Sequence, residues 1–129
     1  VDGLLTANGG RGWYYRGPAG SGGAIFLSGL KVTGSGTLRA NGGMGQDYRG
    51  PGGGGRIAVW YHMSLAAAEE RIARQDVSGL SHSAAYPSFP DEPCFTGELQ
   101  ADVYMSTLPN QPQAGITGFY TPGTLVILR

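Results

Sequence analysis

The feature that most constrains this chain is an internal repeat. Residues 3–20, GLLTANGGRGWYYRGPAG, return 33 residues later as residues 36–53, GTLRANGGMGQDYRGPGG, with twelve of eighteen positions identical. A fixed period within a short chain marks an architecture in which each copy buries its apolar face against the next. Equivalent side chains then fall in columns, so Leu5 aligns with Leu38, Ala7 with Ala40 and Asn8 with Asn41.

The segment Thr37–Ala40 alternates, with Leu38 and Ala40 on one side and Thr37 and Arg39 on the other, which predicts a short strand. By equivalence Leu5 and Ala7 face inward. Ala-Asn-Gly-Gly follows in both copies. Asn and Gly tolerate the left-handed region, so tight bends are expected at 8–10 and 41–43. Stacked copies place Asn8 over Asn41 as a structural ladder. A loop then runs to a glycine tract, shorter by one residue in the second copy. The tract leads into two further strands, 23–27 and 55–61, with Ile25 aligned to Ile57 and Leu27 to Val59.

Glycine makes up 24 of 129 residues, and 19 of the 24 precede residue 61. The typical share is about 7%. There is no strict G-X-Y period, which excludes collagen, and apolar runs interrupt the glycines, which excludes a plain flexible linker. Beyond residue 61 the composition changes. Ser64 is placed to cap a helix through residues 65–74, with Leu65, Ala68 and Ile72 on one face. Residues 79–113 are rich in Pro and Ser around one strand at Leu99–Met105. Residues 115–128 read as a degenerate closing coil.

The fold expected from these features is all-β: a short right-handed parallel β-solenoid with Gly-rich loops and one flanking short α-helix. It forms a single domain, with repeat one at 3–35, repeat two at 36–61, helix and irregular cap at 62–113 and a final coil at 114–129. A rival packs the glycine tracts as hydrogen-bonded polyglycine or polyproline-II-like helices beside a sheet, and a β-sandwich is third.

Charge is balanced overall but unevenly placed. Residues 1–60 hold six cations against two anions, and the remainder holds three against seven. Lys31 is the single lysine, and no recognition helix or RNP-like strand pair is visible, which argues against nucleic acid. Cys94 stands alone, so no internal disulfide forms. The chain opens at Val1 directly on a repeat and reads as a mature or excised piece.

Several chemical motifs can be set aside. Gly50, Gly52 and Gly55 match G-x-G-x-x-G, but a strand follows where a dinucleotide site needs a helix. His62, His82, Asp91 and Cys94 match no metal-site spacing, so no metal and no cofactor is expected. Neither a catalytic triad nor a carboxylate pair can be assembled from spacing, and the chain does not read as an enzyme. The repeated Tyr-Arg has two readings. In one it staples each loop to the next coil. In the other, Trp13, Tyr14, Tyr15, Arg16, Tyr48 and Arg49 form a glycan-binding surface, with aromatic faces on sugar rings and Arg on hydroxyl or acidic groups.

The phrases VDGLLTANGG, SGGAIFL, LKVTGSGTLRANGGMG and GPGGGGRIAVWY resemble a glycine-rich "ANGG…GGGGGRIA" repeat of large secreted and cell-surface proteins. The resemblance covers residues 1–61 and faintly 115–128. It implies an extracellular or cell-surface structural or adhesive polypeptide without a shared catalytic apparatus. The leading expectation is therefore a structural module that assembles with like units or other extracellular structural proteins, without membrane insertion. A carbohydrate-binding module is the alternative, and a polysaccharide-active enzyme is third.

Overall fold

A computed structural model describes residues 1–13, 17–45, 50–75, 80–103 and 112–122. Seven strands and one helix follow in the order β1 (Leu4–Thr6), β2 (Ala24–Ser28), β3 (Thr37–Arg39), β4 (Arg56–Trp60), α1 (Leu65–Arg74), β5 (Leu80–Ser83), β6 (Glu98–Gln100) and β7 (Ile116–Pro122). They form two sheets, ordered β1-β3-β6 and β2-β4-β7-β5.

The repeat dictates the pairing. β1 lies parallel to β3 with Leu5 opposite Leu38, and β3 lies parallel to β6 with Leu38 opposite Leu99. In the second sheet Ile25 faces Ile57 and Leu27 faces Val59, while Val59 faces Phe119. Identical phrases in adjacent strands put apolar side chains on the same face. The resulting core joins Leu38, Ala40, Ile57, Val59, Tyr61, Phe95 and Phe119. Segment 95–102 thus belongs to a third copy of the phrase, with Gly97, Leu99 and Ala101 standing where Gly36, Leu38 and Ala40 stand in the second.

The expected β-solenoid is overturned. The strands fall into two open sheets that do not close into coils, and the four-stranded sheet is mixed because β5 runs antiparallel to β7. The reason lies in the glycine tracts, which join the sheets without being strands themselves. The N–H of Gly23 donates to Ala7 O and that of Gly20 to Gly10 O, at 2.7 and 2.9 Å. In the second copy Gly55 donates to Ala40 O and Gly52 to Gly43 O, at 2.7 and 3.0 Å. Each pair of bonds is three residues apart, the repeat of an extended polyglycine or polyproline-II helix rather than the two-residue repeat of a strand.

The expected left-handed bends are also absent. Among the described glycines only Gly34 has positive φ, at 116°, and neither Asn8 nor Asn41 does. Several of the others serve close approach instead. A Cβ on Gly55 would strike the carbonyl oxygen of Gly23, and one on Gly115 that of Gly55.

The helix forms where expected. Ser64 Oγ accepts the Ala67 N–H at 3.2 Å, and Gln75 ends the helix in the left-handed conformation. Its buried contact is Ala68, which packs with Trp60 and Met63. Leu65 and Ile72, predicted to share that inward face, are exposed. A small Ala at the contact lets the helix lie close to Trp60, which leaves the two larger residues at its flanks.

Candidate functional site

The most distinctive surface is the outer face of the first repeat. β1 and β2 each lie at the edge of their sheet. Residues that are buried in the second copy are less covered in the first. Leu5 is 40% exposed, whereas Leu38, its register partner, is 0% exposed. Leu4 and Phe26 are exposed on these edge strands as well. The backbone there is also unsatisfied. In the second copy the Asn41 N–H donates to Asn8 Oδ1 at 2.9 Å and the Gly43 N–H to Gly20 O at 2.9 Å. The corresponding N–H groups of Asn8 and Gly10 find no acceptor among the described residues. An open edge with an apolar face invites further pairing.

The opposite end differs. β5 occupies the free edge of β7, and His82 stacks on Tyr120 with ring centroids 4.8 Å apart. Among the described residues β6 and the antiparallel β5 are the outermost strands at that end.

Along one side of the repeats runs a groove of about 350 Å³, lined by Asn8, Arg11, Arg39, Asn41, Met44 and Gln100 with adjacent glycines. Its floor is the asparagine column. Asn8 Oδ1 accepts from the Asn41 backbone, and Asn41 Oδ1 accepts from the Asp102 backbone at 2.8 Å. The rungs are therefore side chain to backbone rather than amide to amide. Arg39 Nε donates to Gln100 Oε1 at 2.7 Å, which fixes its guanidinium across the column.

Of the residues expected to bind glycans, Trp13 is 88% exposed. Tyr14, Tyr15, Arg16, Tyr48 and Arg49 lie outside the described residues. Trp60 and Tyr61, the adjacent aromatic pair at the end of β4, are both buried and add nothing to that surface. The strand that follows the Gly50–Gly55 tract is β4, which disposes of a dinucleotide turn.

The histidines are engaged separately. His62 Nε2 lies 3.0 Å from Glu92 Oε2, and its ring packs on Phe89. Among the described residues no group of three or more His, Cys, Asp or Glu side chains is placed to hold a metal. Buried Tyr61 accepts the Phe95 N–H at 3.1 Å, and burial holds its hydroxyl above the ordinary pKa. Sequence reasoning missed the role of 95–102, because Phe95 stands at the Gly34 position and Glu98 at the Thr37 position. The Gly97-x-Leu99-x-Ala101 spacing was the signal. No helix among the described residues is long and apolar enough to cross a membrane.

Comparison with family models, with curated proteins and with solved structures finds no match.

Proposed function

We propose that this chain is a structural module that assembles with like glycine-rich units through the outer face of its first repeat. One contrast carries the reading: Leu5 and Leu38 occupy the same register in the same phrase, yet only Leu38 is covered. Full burial of an exposed leucine stabilises by roughly 1.5–3 kcal/mol; Leu5, at 40% exposed, would gain part of that, and a neighbour that also completes the β1 and β2 edges adds backbone bonds. The resemblance to repeats of large secreted and cell-surface proteins supports an extracellular setting. No catalytic role is assigned.

Sedimentation equilibrium tests the reading. Association that grows with concentration and is weakened by Leu5→Lys with Phe26→Lys is the expected result. A monomer at every attainable concentration would sink it.

A second reading, carbohydrate binding, draws on the exposure of Trp13 and on the polar groove between Arg11 and Arg39. Aromatic faces stack on sugars and guanidinium groups bond their hydroxyl or acidic substituents. A glycan array separates it from assembly, since binding lost in Trp13→Ala would favour recognition.

A further inference from the structure

The glycines of the first repeat specify what covers its face. A Cβ on Gly36 would strike the carbonyl oxygen of Gly3, and a Cβ on Gly43 that of Gly10. Gly97 stands in the same relation to Gly36. These glycines are required because the preceding copy's backbone lies against them. Gly3 and Gly10 hold the same places in the first copy, but a Cβ on either meets nothing within 4 Å. The first copy thus keeps clearance for a backbone that no described residue of this chain supplies. The clearance coincides with the N–H groups of Asn8 and Gly10, which have no acceptor among the described residues, and with exposed Leu5.

We infer that the occupant of this face is a further copy of the same repeat phrase, laid parallel and in register. Its carbonyl oxygens would sit over Gly3 and Gly10, and its asparagine Oδ1 would accept the Asn8 N–H. At the far end of a second intact chain β5 already covers β7, so only the β6 edge of the three-stranded sheet could offer part of this. Intact chains can meet this face head to head, which makes no use of the glycine spacing, or through the β6 edge alone, which leaves the β2 edge uncovered. The inference rests on the assembly reading and adds partner and register to it.

The test is a chain in which residues 3–35 are duplicated immediately before Gly3, compared with the parent. Gly3→Ala and Gly10→Ala are introduced together into the original first copy of each. In the parent they leave the melting midpoint unchanged, since both sites are open. In the extended chain the added repeat raises the midpoint and slows exchange of the original Asn8 and Gly10 amides by about tenfold or more. The two substitutions abolish that gain while residues 36–61 stay protected, which shows that the rest of the chain remains folded.

A gain that survives both substitutions overturns the parallel register and leaves assembly through this face in place. No gain from the added repeat, with the parent still self-associating, overturns the inference in favour of pairing between intact chains. No gain together with a monomeric parent removes the assembly reading as well.

Discussion

The Asn41 backbone N–H donates to Oδ1 of Asn8 at 2.9 Å, across 33 residues of sequence. Asn41 then repeats the gesture toward Asp102. One residue type at one repeat position thus both receives the previous copy and grips the next. Asn8→Ala and Asn41→Ala should each cost about 1 kcal/mol in urea unfolding. Asn41→Asp, which keeps the acceptor oxygen, should recover much of that loss. Equal losses in the Ala and Asp variants would show that the oxygen is not what matters.

Burial along the leucine column predicts unequal mutants. Leu38→Ala should destabilise by roughly 2–5 kcal/mol, as expected for a fully buried leucine. Leu5→Ala should cost less than about 1 kcal/mol in the isolated chain, because its side chain is already partly in water. Chemical denaturation of the two variants checks this, and equal costs would contradict the open first face.

Backbone contact at Gly55 predicts a severe effect from a single methyl group. Gly55→Ala would drive Cβ into the Gly23 carbonyl oxygen, a main-chain atom that cannot rotate away. A cost of about 3 kcal/mol or more is expected, visible as a collapsed thermal midpoint. Gly50→Ala, where a Cβ meets nothing within 4 Å, serves as the control and should be mild.

Tyr61 links packing to alkaline pH. Burial raises its pKa above the ordinary 10.0, while the Phe95 N–H bond pulls the other way. In the unfolded chain this tyrosine ionises near 10, so above that pH the folded state holds the extra proton. The contribution is intact below pH 10 and is lost as pH climbs through the folded value. Tyr61→Phe should remove its share of the alkaline slope in pH-dependent unfolding. At neutral pH the same variant should cost about 1–3 kcal/mol, because it leaves the buried Phe95 N–H without an acceptor.

Ser64 offers a local test of the helix. Ser64→Ala removes the acceptor for the Ala67 N–H and should cost about 1 kcal/mol. Ser64→Asp should retain the cap, and circular dichroism with denaturation separates the two.

What the sequence determined by itself is the register. A 33-residue period with matched Leu, Ala, Asn and Ile positions allows one alignment of copy on copy, and Leu5 opposite Leu38 and Ile25 opposite Ile57 follow from it. The helix at 65–74 was equally legible, since capping and propensity act within a few residues. Only the tertiary structure decided the path of the glycine tracts. A residue without a side chain carries no alternation to read, and whether it bends, pairs as strand or runs as a three-residue helix depends on which backbones surround it. The same holds for the candidate site. Gly3 and Gly36 are one letter in the sequence, and only packing shows that a neighbouring carbonyl presses on Gly36 while the space beside Gly3 is open.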